Sequence, residues 1–364
     1  MANATNAIIE PQVVVTYVTL SFHILSGFLN FFIFYVVHKS AKLHSSSYAF
    51  LANACISDFL LSFVFVLFFI VQKTATLTFL DTDILCKLFN YISILSCVVS
   101  TYTFTAIAID RHRSIHSCLN NQFKVMSDKE IFVTITGIWM SAVILSTPLL
   151  LLSGTYSYDI HFCDVLPSEP LNAIFFTLMF IVLYFLPLLV MIVMYVRIYA
   201  MKNYIQPFHR EHQNQPISDQ QSLLFIRMLV IISSGFMTLI LPIFSFLLLT
   251  AYSGLSLEKL RRENLQLYYL AWVFYSMAFS VTFVNPLIYV ASDRNIRFVV
   301  KICILQLLRL PVREEFLREA KLNQTLSRIR TRRVSAFNLA TFTPNASWQN
   351  LRRSDERTQT SIVM

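Results

Sequence analysis

Apolar residues run along this chain in seven long stretches, roughly 13–37, 47–71, 85–109, 131–152, 172–199, 223–251 and 267–291, separated by short polar segments. A helix needs about 20 apolar residues to cross the hydrocarbon core of a bilayer, and each stretch meets that length. None alternates with the period of two that a membrane β-strand requires, which excludes a β-barrel. The third and seventh stretches hold more polar residues than the others, as expected of spans buried inside a bundle. From Asp293 to Leu308 the pattern reads as a short amphipathic helix on the membrane surface. The expected fold is an all-α membrane protein, a seven-transmembrane helix bundle with that surface helix after the last span. The divisions are an extracellular N-terminus at 1–12, the bundle at 13–291, the surface helix at 292–308 and a disordered cytoplasmic tail at 309–364.

Charge orients the bundle. Lys39 and Lys42 lie in the first loop, Arg111, Arg113, Lys124 and Lys129 in the third, and Arg197, Lys202 and Arg210 in the fifth. The stretch after the seventh span adds 14 more Lys and Arg, which puts the odd loops and the tail in the cytoplasm. Lys259, Arg261 and Arg262 on the outer side dilute this signal without reversing it. The net charge of +9 is therefore a topology signal and does not point to nucleic acid. A composition of 56% hydrophobic and 13% charged residues also departs from that of a soluble domain, roughly 45–50% and about 25%. No basic flank and cleavage site precede the first span, so that span is expected to act as the membrane-targeting signal. Asn3-Ala4-Thr5 then lies outside, as a usable glycosylation acceptor.

Polar groups inside the spans are costly and so carry information. Asp58 has no Lys or Arg within a helical turn; it is either an ion or proton site or a structural carboxyl bonded across helices. Asp110-Arg111-His112 closes the third span at its cytoplasmic end. Cys86 and Cys163 both face an oxidising compartment and could bridge, with two unrelated free thiols as the alternative. Pro187, Pro242 and Pro286 sit within spans five, six and seven, where each frees a backbone carbonyl and kinks its helix. No nucleophile–base pair, metal cluster or phosphate-cradling loop stands out, so no enzyme is expected.

These residues together resemble the rhodopsin-like G-protein-coupled receptors over roughly 13–305. The likeness rests on Asn30, the Leu51…Asp58 block, Cys86, Asp110-Arg111-His112, Trp139, Pro187 with Tyr195, Phe236 with Pro242, and Asn285-Pro286-x-x-Tyr289. It implies a plasma-membrane receptor that binds an extracellular ligand and activates a heterotrimeric G protein. By the same likeness, Asp58, Ser100 and Asn285 would hold an allosteric sodium ion. Arg111 would engage the G protein once span six swings out, with Tyr195 and Tyr289 turning inward, and Asp110 would hold it at rest. Cys303 would be palmitoylated. Arrestin and kinases would act on the tail, where Ser335 and Ser354 are phosphorylation candidates, and membrane lipids would surround the bundle.

The family position of the pocket is lined by Ser93, Ile94, Cys97, Met179, Leu183, Ile240, Phe244, Leu247, Tyr275 and Phe279. Ser93 replaces the aspartate that pairs with biogenic amines, and Phe279 replaces the lysine that holds retinal; neither ligand is expected. An uncharged lipid-like ligand suits this lining, a basic peptide suits Asp159, Asp164 and Glu169, and an acidic ligand suits Lys259, Arg261 and Arg262. The departures from the pattern are Ile240 for the aromatic switch of span six, Ser222 for the acid that often pairs with the arginine, Thr101 at a commonly aliphatic position and Val281 for an asparagine. They imply a leaky resting state. The alternatives are a receptor-like protein that no longer signals and, behind it, a seven-span transporter built on Asp58.

Overall fold

Long apolar runs without an internal glycine or proline cluster satisfy their backbone groups only as helices when water is absent. The computed structural model describes residues 11–40, 43–74, 78–119, 126–166, 170–211 and 216–308. The glycosylation candidate Asn3, the acid Glu169 and the tail with Ser335 and Ser354 lie outside them. Among the described residues, seven helices are long and apolar enough to span a membrane. Spans one to three are α1 (Pro11–Lys39), α2 (Ser46–Thr74) and α3 (Phe79–Leu119). Span four is α4 (Asp128–Ser146) with a single further turn, α5 (Leu149–Leu152). Span five joins α6 (Leu171–Met179), a π-helical segment (Phe180–Phe185) and α7 (Leu186–Glu211). Spans six and seven are α8 (Pro216–Ser253) and α10 (Leu265–Ser292), with the short α9 (Leu257–Glu263) between them and α11 (Arg294–Leu307) after. The chain divides into a unit of Met1–Ile304 and a second of Leu305–Met364, of which only Leu305 to Leu308 are described.

Three boundaries differ from expectation, each for a local reason. Span three does not close at Asp110 but continues to Leu119, since nothing between them is Gly or Pro. Span four breaks at Thr147-Pro148, where the missing N–H ends the ladder. Span five widens to a π turn just before Pro187, one of the local adjustments by which a membrane helix re-satisfies the groups a proline frees. In span seven, Pro286 leaves the carbonyl of Thr282, four residues back, without its helical donor. The Asn30 side chain of span one donates to that carbonyl at 2.8 Å, which makes the kink a point of attachment between spans one and seven.

Span three packs against spans two, four and five, span one against two and seven, and span six against seven. Its central position explains its polar residues, which are buried: Ser96, Ser100, Thr101, Thr103 and Asp110. Trp139 of span four donates to Asn53 of span two at 2.9 Å, and Asn53 donates to Thr103 of span three at 2.8 Å. Large apolar side chains on the outer surface, among them Phe28, Phe132, Leu151 and Val196, form the face that hydrocarbon covers.

Outside the spans, the second outer loop folds as an antiparallel hairpin of β1 (Ser153–Tyr156) and β2 (Asp159–Val165). The Cys86–Cys163 disulfide pins it to the top of span three. Gly154 makes room there for Asp83: a Cβ at this residue would lie 2.5 Å from Asp83 Oδ1, which accepts the neighbouring Thr155 N–H at 3.1 Å and would have to shift. At the other end Asp293 links α10 to α11. Its Oδ1 accepts the Ile296 N–H at 2.8 Å and its Oδ2 the Tyr48 hydroxyl at 2.9 Å. Ile296 and Val300 of α11 are buried while Arg297 and Lys301 are exposed, as expected of a surface helix.

Candidate functional site

The inner end is built on Asp110, which is 1% exposed. Its Oδ2 accepts from Arg111 Nη2 at 2.6 Å, from Ser46 Oγ at 2.8 Å and from Ser47 Oγ at 3.1 Å. Its Oδ1 is buried with no hydrogen-bond partner. Arg111 also donates to Ser46 Oγ at 3.3 Å, so the acid, the base and the start of span two form one cluster. Beside it the Tyr195 hydroxyl and Ser233 Oγ join spans five and six at 3.0 Å. Tyr289 is fully buried with its hydroxyl unpartnered, and Phe236 meets Phe104 edge-on at 5.2 Å.

At the centre Asp58 is 2% exposed. Ser100 Oγ donates to its Oδ1 at 3.2 Å and the Asn285 amide to its Oδ2 at 3.4 Å, so span two meets spans three and seven at this carboxylate. The carboxylate and hydroxyl oxygens suit a hard cation such as sodium.

Above it a cavity with about 880 Å³ of empty space, part of it open to solvent, opens toward the outer side. Ser93, Ile94, Cys97, Ile240, Phe244, Leu247, Tyr275 and Phe279 line it, as their family positions imply. Met179 and Leu183 do not: both are buried against neighbours where the π turn redirects span five, and that span reaches the cavity one turn higher through Phe176. Phe89, Asn90 and Asp58 line it as well. Phe89 and Asn90 lie four and three residues before Ser93 on span three, a helical spacing that could have indicated them in advance.

At the rim Arg261 Nη2 contacts the Asp159 carboxylate at 2.7 Å, and the Arg261 guanidinium lies 4.4 Å from the centre of the Phe162 ring. Asp164 is 3% exposed and accepts the Val165 N–H at 2.8 Å, the Glu258 N–H at 3.0 Å and the Tyr156 hydroxyl at 3.1 Å. Burial raises its carboxyl pKa to about 6. Arg262 pairs with Glu258 within α9. Asp159 and Arg261 thus join the two outer loops as an ion pair, and Asp164 joins them through the Glu258 N–H.

Seven spans around a polar centre, with an acid–arginine cluster at one end and an apolar cavity at the other, define a helical membrane receptor. The model of the family described as 7 transmembrane receptor (rhodopsin family) matches residues 29–289, and the chain belongs to that family. Membership brings a multi-pass plasma-membrane location, binding of an extracellular ligand, signalling through heterotrimeric G proteins and no enzymatic activity. Among its relatives, neuropeptide FF receptor 2 of Mus musculus is 27% identical over 318 residues, covering 79% of this chain and 72% of that protein. Neuropeptide Y receptor type 2 of Cavia porcellus is 28% identical over 309 residues, covering 79% and 75%. The crystal structure of squid rhodopsin shares the fold with a TM-score of 0.67 at 20% identity, covering 86% of this chain and 91% of that one.

Proposed function

We propose that this receptor is activated by an extracellular peptide and that Arg111, released from Asp110, is the group the G protein meets. The observation that carries the second part is the cluster at Asp110. One carboxylate oxygen holds Arg111 and two serines while the other has no partner, an arrangement that small helix movements can exchange. Relatives named as receptors for neuropeptides support a peptide over a lipid. Ligand and G protein then favour the same open bundle, each raising the affinity of the other. Pro242 and Pro286 provide the kinks about which spans six and seven move, and Tyr195, Tyr289 and Phe236 repack around Arg111.

In the same reading the N-terminus is extracellular and Asn3 carries a glycan, while Cys303 is palmitoylated beside the membrane lipids. Kinases modify Ser335 and Ser354 and arrestin follows. Sodium would be held by Asp58, Ser100 and Asn285 and would favour the resting bundle. The test is a panel of secreted neuropeptides applied to cells expressing the receptor, read as G-protein dissociation. A peptide response that Arg111→Ala abolishes at equal surface expression is expected. Silence toward every peptide, with a response to an uncharged lipid, contradicts the peptide assignment.

A further inference from the structure

The outer loops hold a buried acid that signalling does not use. Asp164 is 3% exposed and ties three segments together: Val165 of its own strand, Tyr156 of β1 and Glu258 of α9 all donate to it. Tyr268 and Tyr275 of span seven lie within electrostatic reach, and Asp83 of span three bonds to Thr155, beside the Gly154 that pairs with Asp164. The nearby bases are committed elsewhere: Arg261 to Asp159, Arg262 to Glu258 and Lys87 to Asp83. Among the described residues, the carboxylate is therefore held by neutral donors. Burial raises its carboxyl pKa to about 6, against an ordinary 3.8.

Helix α9 depends on this contact. Its seven residues are too few for a helix stable on its own, so its order comes from what it packs against. Ser256 and Leu257, where it begins, border a recess together with Asp164. Val165, Phe176, Leu247 and Tyr275 line both that recess and the main cavity. The order of α9 is thus the order of a wall beside the cavity.

We propose that an extracellular proton is a second ligand of this receptor, bound by Asp164, and that it holds α9 folded against the hairpin. Melting α9 withdraws the Glu258 N–H and admits water to the carboxyl, which then returns toward its ordinary behaviour. The folded arrangement holds the proton more tightly, so its contribution is full below about pH 4 and is lost as pH rises through about 6. Between pH 5.5 and 7.4 the folded-to-melted ratio of α9 should fall about fourfold. Acid tightens the outer wall, and neutral pH loosens it. The proton's standing as a ligand rests on the receptor reading, whereas the experiment needs neither peptide nor G protein, so the two fail separately.

The experiment is amide hydrogen exchange on the purified full-length receptor in micelles, read by mass spectrometry from pH 5.5 to 7.4. Each rate is divided by that of the same segment unfolded at the same pH, which removes the chemical pH dependence of exchange. Protection of residues 257–264 should fall about fourfold across this range, while that of the spans stays constant. Asp164→Asn should abolish the fall. That variant keeps His161, which is exposed on the same strand, so a fall that persists in it belongs to another group and overturns the proposal. Tyr156→Phe withdraws a donor from the charged form and should move the fall to higher pH, so a folding failure in one variant leaves the other to decide. Flat protection in the wild type, or a fall that Tyr156→Phe leaves unmoved, also overturns it.

Discussion

Asp164 and Asp110 are both buried carboxylates near an edge of the bundle, one outer and one inner, and their surroundings differ in kind. Asp164 uses both oxygens, and two of its three donors are backbone N–H groups. It lies one residue from a disulfide and joins β2 to the start of α9. Asp110 uses one oxygen, every donor to it is a side chain, and its second oxygen is unsatisfied in a buried position. Backbone donors cannot leave without unfolding an element, whereas hydroxyls and a guanidinium can rotate away. The outer carboxylate is tied to the fold by its backbone, and the inner one is held by side chains alone.

The contrast can be broken most forcefully at the disulfide. Cys163→Ser removes a cross-link between residues 77 apart in sequence, which should cost about 4 kcal/mol in the chain-entropy account. Thermal unfolding and surface expression should both fall. Gly154→Ala forces a methyl against Asp83 and should destabilise by roughly 1–3 kcal/mol. Recovery in the Gly154→Ala, Asp83→Ala double variant would identify that contact as the cause.

Asp164 sharpens the comparison through pH. Its carboxyl titrates near 6 in the folded protein, above the 3.8 of an unperturbed group, so the folded state holds its proton more tightly. Its contribution to stability is full below about 4 and is lost as pH rises through about 6. Unfolding curves between those values should show this decline in the wild type, and Asp164→Asn should flatten it. The half-exposed Arg261–Asp159 pair is worth less: Arg261→Ala should lower stability by about 1 kcal/mol or less and leave coupling intact. Asp110→Asn should raise ligand-independent signalling, because it removes the charge that holds Arg111 and weakens the bonds from Ser46 and Ser47.

The seven spans, the surface helix and the disulfide were legible because length, amphipathic spacing and compartment are properties of local sequence. The partners of Asp110 were not. Ser46 and Ser47 stand at the very start of span two, and only its packing against span three brings them 2.8 and 3.1 Å from the carboxylate. The hairpin was likewise hidden, since four- and seven-residue strands carry little pattern of their own and depend on a non-local pairing. The pairing at the rim was hidden for a related reason: Asp159 and Arg261 are 102 residues apart and meet only when the two outer loops pack together. Eight of the ten pocket positions inferred from family likeness line the cavity, while Met179 and Leu183 of span five are buried beside it, at and within the π segment that no local pattern announces.

The central claim is that Arg111, held by Asp110 at rest, is the coupling group. Its most direct test is ligand-independent dissociation of each main class of G-protein α-subunit, comparing the wild type with Arg111→Ala at matched surface expression. The account predicts a basal signal above empty-vector controls that disappears in the variant. A wild-type signal that Arg111→Ala leaves unchanged would contradict it.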